Sequence, residues 1–543
     1  MQVRNKLRQS VKNSIKILQE SAKLPAGSFN KIKIERSNRE GQGDYSTSIA
    51  MQVASSSGRK PKTIAKVILE QLQKDEKLLK IFSEIKVASP GFINFYFSNE
   101  YLKQQVSYIL KTNNFGSVNV GRGEKLNLEF VSVNPTGELH IGHGRTAFYG
   151  DVLANILSFA NFDIKREYYI NNARQSAQIK ELGKTALKRG TSYKSPYLDE
   201  KLKQYSSKLK NIKTASAAGY FLAGKIMQDI EKFLHEEAKI KFDIWKEEEG
   251  LYKNNLVTNT FNELQKKKLV YEKEGATWLR TTKYGDSQDQ VLIRGSGEST
   301  YLMADIAYHR DKARRGFKKL INIWGADHQG HVGRLKAAMK SFKITDLDIL
   351  ISQLVTLKGK MRLSKRRGNV ISLHDLLKEV GLDVTRYFYL TKSLDAQMEF
   401  DLELAREQSQ KNPVFYIQYT HARIRSILKK VQNATDSNKF SVSKKNMNEL
   451  KEYGEMKLIK ELVAFPDIIE DIAHDYQVHR LTTYVHELAQ IFSQFYRDFR
   501  IIEDNPSSTA FNINKGRLAL AIATGLVIGK SLKLLGINAP EKM

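Results

Sequence analysis

The sequence predicts a multidomain α/β protein. A Rossmann-like, doubly wound parallel-sheet domain with an inserted region lies between an N-terminal α+β domain and a C-terminal all-α helical bundle. Three observations carry this. Residues 125–170 spell strand, glycine-rich turn, helix and strand, and a strand–helix pair recurs over 319–342. From about 396 onward the apolar patterns have the 3.6-residue period of helices. The 543 residues are also too many for one core, so about three domains are expected.

Within residues 1–115, "VRNKLRQSVKNSIKILQE" places Leu7, Val11, Ile15 and Leu18 on one helical face, and "KTIAKVILEQL" keeps that period. "PGFINFYFS" (90–98) is a dense β-branched and aromatic run after a Pro-Gly turn, hence a strand. Within residues 116–395, "KLNLEFVSV" (125–133) alternates like a half-buried strand. After the Asn134-Pro135 turn, "LHIGHGRTAFYGDVLANILSFA" is helical with an unusually glycine-rich first turn, and "FDIKREYYI" is the next strand. "KLINIWGAD" is a strand ending in Gly-Ala-Asp, followed by the helix "GHVGRLKAAMKSF". Residues 175–290, charged and helix-prone, form the expected insertion. Within residues 396–543, "NPVFYIQYTHARIRSILKKV", "LIKELVAFPDIIEDIA", "RLTTYVHELAQIFSQFYRDF" and "GRLALAIATGLVIGKSLKLLG" each carry an apolar stripe, the pattern of a bundle.

Composition narrows the function. The net charge of +29 favours a polyanionic partner, because each phosphate neutralised releases counterions; a lysine-rich solvated surface is the bland alternative. The absence of cysteine excludes disulfides, zinc ribbons, iron–sulfur clusters and thiol nucleophiles. No apolar run of membrane-spanning length and no signal-peptide core is read, so a cytoplasmic protein with no membrane partner is expected.

Two stretches carry chemistry. "VNPTGELHIGHGR" (133–145) sets His140 and His143 three apart among glycines. With His328, His331 and Asp327 of "GADHQGH" these imidazoles could make a metal site, yet neither pair has the HExxH form and a glycine turn holds ligands loosely. A phosphate-handling turn accounts for more of the letters. Gly142 and Gly144 would let a ligand approach the backbone, helix N–H groups favour anions there, and imidazoles can donate to charge that builds on phosphate. The second stretch, "KGKMRLSKRRGNVIS" (358–372), gathers Lys358, Lys360, Arg362, Lys365, Arg366 and Arg367 before Gly368-Asn369. It is either a solvated charge run or a cationic loop that serves a pyrophosphate leaving group.

In this order, His140-Ile141-Gly142-His143 and Arg362-Leu363-Ser364-Lys365-Arg366 resemble the HIGH and KMSKS signatures of class I aminoacyl-tRNA synthetases. The second keeps Ser364 and Lys365 with arginines at either end. "GDYSTSIAMQVA", "LEFVSVNPTGELHIGHGR", "YEKEGATWLRTTKYGD", "YLMADIAYHRDK", "GADHQGHVGRLKAAM", "NPVFYIQYTHARIRSIL" and "LLGINAPEKM" extend the likeness to arginyl-tRNA synthetases over nearly the whole chain.

That resemblance implies ligation of L-arginine to the 2′-hydroxyl of the terminal adenosine of tRNA(Arg) through an adenylate made from ATP. Mg²⁺ would accompany ATP, with no structural zinc, tRNA would bind before activation, and the enzyme would act as a monomer. It implies catalytic roles for His140, His143 and Lys365, and ATP contacts from these three with Gly142, Gly144, Arg362 and Ser364. It places the guanidinium end of arginine on Glu129, Tyr301 and Asp305, the α-amino or carboxylate end on Asn134, and Gln329 in the pocket lining. The residues suit that substrate, because Glu129 and Asp305 interrupt apolar stretches and a guanidinium fork needs carboxylates at a fixed angle. A structural salt bridge or helix cap is the bland alternative for those acids. The N-terminal domain would meet the outer corner of the tRNA and the bundle its anticodon, with Tyr419 and Arg423 on unpaired bases.

Overall fold

The computed structural model describes residues 2–27, 32–37, 41–358, 371–435, 444–503 and 512–543. Arg362, Ser364 and Lys365 therefore lie outside the described residues, as do Lys360, Arg366 and Arg367.

The central sheet has five parallel strands. In spatial order they are Leu347–Ser352, Lys319–Gly325, Lys125–Glu129, Asp163–Ile170 and Ile244–Glu247. Numbered along the chain this is 5-4-1-2-3, the doubly wound order. The topological switch point lies between Lys125–Glu129 and Lys319–Gly325, where such sheets bind ligands beyond their carboxyl ends. The first strand stops at Glu129, four residues short of the expected Val133, because Val131 and Ser132 adopt φ of 67° and 40°. Ser132 is held in that conformation from the neighbouring strand: its Oγ accepts from Tyr169 N at 3.0 Å, and its carbonyl accepts from Asn171 Nδ2 at 2.8 Å.

The expected insertion is not one block. Its middle contains Ile244–Glu247, the outermost strand of the central sheet. Four helices precede that strand, and two helices and a three-stranded antiparallel sheet follow it. The first and longest of the four preceding helices, Ala177–Ala186 and Ala215–Glu236, cross at Gly183 and Gly219. A Cβ on Gly219 would fall 1.8 Å from Ile179 O, and one on Gly183 would fall 1.7 Å from Ala215 O. Backbone faces backbone there, so neither contact can yield by side-chain rotation. Gly219→Ala is expected to destabilise the chain by about 3 kcal/mol, read as a fall in the urea midpoint; an unchanged midpoint would mean that the helices separate freely.

The N-terminal unit is a four-stranded antiparallel sheet covered by helices that include Val3–Glu20 and Pro61–Leu72. The C-terminal helices are Pro413–Thr435, Tyr453–Asp475, His479–Asp498 and Lys515–Leu535. One apolar core runs from Val3 through the central sheet to Ile537, so the three units share an interior. Against the expectation from the sequence, Lys515–Leu535 is long and apolar enough by length and composition to cross a membrane. It lies in the core instead, with Leu520, Val527 and Leu532 fully buried.

Candidate active site

The helix Ile141–Phe159 begins at His140, and the two histidines build its first turn themselves. Gly142 N donates to His140 Nδ1 at 3.1 Å, and His140 N donates to His143 Nδ1 at 3.2 Å. With both Nδ1 atoms accepting, each neutral ring carries its proton on Nε2 and has one donor left. The rings stack at a centroid distance of 3.5 Å. Burial lowers both, His143 to about 3 with His140 adding to the effect. The turn therefore offers two uncharged N–H donors at a helix N-terminus.

The glycines also serve the packing of this turn. A Cβ on Gly142 would meet the His140 ring at 2.9 Å, and one on Gly144 would meet Leu373 and Tyr389 at 2.8 and 2.9 Å. Gly144 is thus a packing requirement: helices Leu373–Val380 and Leu382–Leu390 fill the space that a side chain there would need. The chain returning from the cationic segment docks onto the same turn. Ile141 N donates to Ile371 O at 3.1 Å, and Leu373 N donates to Leu139 O at 2.8 Å. Lys358, at the other end, closes the pairing of Val355–Lys358 with Met398–Asp401 and bridges Asp401 at 3.0 Å.

Four buried or half-buried acids stand at the sheet's carboxyl edge, and they divide into two kinds. Glu129 and Glu167 are paired. Glu129 Oε2 meets Lys312 Nζ at 2.6 Å, and Glu167 takes both Arg315 Nη atoms at 2.7 and 2.9 Å and the Tyr308 hydroxyl at 2.8 Å. Asp305 and Glu248 have no cation among the described residues. Asp305, on helix Tyr301–Arg314, makes no side-chain hydrogen bond there, and Glu248 accepts only from Ala173 N, at 3.3 Å. Burial first, and then Glu248 and Glu129, push the Asp305 carboxyl up to about 8, with Lys312 opposing. Burial pushes Glu248 up to about 7. The Tyr169 hydroxyl is buried without a hydrogen bond and feels Glu248, Asp305 and Glu129 together. Two unpaired acids and an unpaired hydroxyl converge in one cleft, which is the chemistry of a cation socket.

Of the expected arginine contacts, the structure brings Glu129 and Asp305 together. Tyr301 stands one turn before Asp305 and is half exposed, towards Tyr193. Asn134 and Gln329 are exposed at the same carboxyl edge of the sheet. Glu248 and Tyr169 are the residues that sequence reasoning missed. Among the described residues there is no group of three or more His, Cys, Asp or Glu that could hold a metal ion. In the bundle, Arg423 lies over the Tyr419 ring at 4.7 Å and donates to its hydroxyl at 2.9 Å, with Phe415 parallel to Tyr419.

Three family profiles match in succession along the chain. Family profiles match as the arginyl tRNA synthetase N-terminal domain over residues 5–97, the catalytic domain of tRNA synthetases class I (R) over 171–386, and the DALR anticodon binding domain over 417–543. Arginine–tRNA ligase 1 of Halalkalibacterium halodurans is 37% identical over 99% of this chain and 99% of its own length. The arginine–tRNA ligase of Listeria monocytogenes is 39% identical over 94% of each. The arginyl-tRNA synthetases of Thermus thermophilus and Plasmodium falciparum share the fold, each at 19% identity, with TM-scores of 0.78 and 0.74 over the whole of this chain. The first covers 100% and the second 99% of the solved chain.

Proposed function

Given that the chain belongs to the arginyl-tRNA synthetase family and ligates arginine to tRNA, we propose that Asp305 and Glu248 hold the arginine guanidinium while His140 and His143 act on ATP. The observation that carries this is the pair of acids without an ion-pair partner among the described residues, within electrostatic reach of each other and of the Tyr169 hydroxyl, while the turn at the start of helix Ile141–Phe159 supplies the neutral imidazole donors. A guanidinium supplies the missing charge and five donors in a plane. Glu129, already compensated by Lys312, frames the pocket, and Tyr169 offers its hydroxyl to the fork. Tyr301, Asn134 and Gln329 line the mouth, with Asn134 towards the α-amino or carboxylate end.

The carboxylate of bound arginine attacks the α-phosphorus of ATP in line. The bond from phosphorus to the bridging oxygen breaks, and pyrophosphate leaves as arginyl-adenylate forms. His140 and His143 donate from Nε2 to phosphate oxygens as charge builds on them. Lys365 neutralises the leaving pyrophosphate, flanked by Arg362 and Ser364. The pinning of Ile371 to the histidine turn supports this, since the six-residue separation limits Lys365 to about 20 Å from Ile371. Mg²⁺ accompanying ATP would supply charge neutralisation at its phosphates. The 2′-hydroxyl of the terminal adenosine of tRNA then attacks the adenylate carbonyl and releases AMP. Tyr419 and Arg423 stack on anticodon bases. Binding of tRNA precedes activation, and the enzyme works as a monomer in the cytoplasm.

The test is arginine-dependent ATP–pyrophosphate exchange with and without cognate tRNA. Exchange is expected only with both arginine and tRNA present. Inertness under both conditions would overturn the assignment of these residues to activation.

The acids also set a pH dependence. A guanidinium binds the ionised carboxylates, and the coupled pair takes up protons as pH falls through about 8 to about 7. kcat/KM for arginine should therefore rise from pH 6 to about 8 and then level. His143, lowered to about 3 by burial, should add no acid limb across that range. Initial exchange rates at saturating ATP check both; a flat arginine profile would mean that the acids are ionised throughout.

A further inference from the structure

We infer that Lys312, Asn322 and His309 are positioning residues of the arginine site, forming one buried hydrogen-bond chain that ties the Glu129 carboxylate to the backbone of Asp305. The inference rests on the reading that these acids frame the guanidinium pocket.

The chain is continuous. Lys312 Nζ donates to Glu129 Oε2 at 2.6 Å and to Asn322 Oδ1 at 3.1 Å. Asn322 Nδ2 lies 2.6 Å from His309 Nε2, and His309 Nδ1 lies 2.7 Å from the Asp305 carbonyl. An amide nitrogen only donates, so Nε2 accepts, the ring proton sits on Nδ1, and Nδ1 donates to the carbonyl. Each link then has matched polarity without any charged imidazole. Lys312 and Asn322 are fully buried and His309 is 1% exposed, so none of the three reaches a ligand.

The ends of the chain give it its role. Buried polar groups carry a desolvation cost that apolar side chains of similar volume would avoid. This chain starts at one pocket acid and finishes at the residue bearing another. Glu129 sits on the strand Lys125–Glu129 and Asp305 on the helix Tyr301–Arg314, two elements that could otherwise slide past each other. The groups acting on Asp305 are Glu129 from the strand, Glu248 from the facing helix, and Lys312 from its own helix; the phenols of Tyr169 and Tyr252 also feel its charge. Lys312 alone among these opposes protonation of Asp305. It therefore sets the pocket's charge as well as its spacing.

The experiment compares full-length Lys312→Met, Lys312→Arg, His309→Phe and His309→Gln with the unaltered chain in tRNA-dependent exchange across pH 6.5–9.5. Lys312→Met is expected to lower kcat/KM for arginine about tenfold or more at pH 7.5, to leave KM for ATP within about threefold, and to move the arginine pH midpoint up by about one unit. Lys312→Arg should return the midpoint. His309→Phe, which removes no charge, should raise KM for arginine about tenfold with the midpoint unmoved, and His309→Gln, with acceptor and donor on one amide, should restore KM.

If Lys312→Met does not fold, the His309 pair decides alone. Wild-type arginine KM and midpoint in Lys312→Met, or wild-type KM in His309→Phe, would reduce the chain to a fold element and overturn the inference. Asp305→Asn is run alongside. If it moves KM for arginine while the other variants do not, only this inference fails; if it does not move KM, the pocket reading fails and carries the inference with it.

Discussion

Asp305→Asn is expected to cut kcat/KM for arginine by two to three powers of ten, a loss of about 3–4 kcal/mol. The substitution changes almost no volume. It removes the one carboxylate of the cleft that has neither an ion pair nor a side-chain hydrogen bond among the described residues, and it turns an amide donor towards a ligand made of donors. Glu129→Gln should cost less at the substrate, because Lys312 already compensates Glu129. The loss should sit in KM for arginine, with KM for ATP nearly unchanged. The variant should also lose most of its preference for arginine over citrulline, whose urea group has the same outline without the charge. Arginine titrations in the exchange assay give these numbers. An unchanged KM would move the guanidinium to another place in the protein.

His143→Ala should lower kcat by two to three powers of ten, about 3–4 kcal/mol, and leave KM for arginine within a few-fold. Its Nε2–H is fixed in direction by the bond from His140 N to Nδ1, so it is aimed before ATP arrives. A donor of this kind acts on charge that appears only as the phosphorus bond breaks, and its loss should therefore show in kcat. Truncation also leaves His140 N without its partner, which loosens the turn. Pre-steady-state formation of the adenylate separates the two effects, since a loosened turn alone would slow binding of ATP. A raised KM with wild-type kcat would mean that His143 binds the ground state and transition state equally.

Much of this was legible in the residues, and the rest was hidden for physical reasons. The βαβ unit could be read because Leu126 and Leu128 alternate with polar neighbours and His140-Ile141-Gly142-His143 follows a proline turn. Asp305 was legible as a charge inside "YLMADIA". The strand Ile244–Glu247 was not, because four residues ending in Lys-Glu carry no period and lie inside a charged stretch. Glu248 was lost with it. In "WKEEEG" it is one of three consecutive acids, the look of a solvated helix start, and only the parallel pairing of this edge strand turns it into the cleft. The end of the first strand at Glu129 was equally unreadable, since local propensity opposes left-handed φ at a β-branched Val131 and at Ser132, and the bonds that hold Ser132 come from residues distant in sequence. The tie between Glu129 and Lys312 joins residues 183 apart in sequence, a distance over which no local pattern speaks.

The uncharged state of the paired histidines also bears on idle traffic through the enzyme. A site lined by formal positive charge attracts any loose anion at long range, and inorganic phosphate or spent nucleotide would then linger as an inhibitor. Imidazoles that carry no charge add nothing to that long-range field. On the reading proposed above, the turn's own strength would be felt at contact distance and chiefly while a bond is breaking.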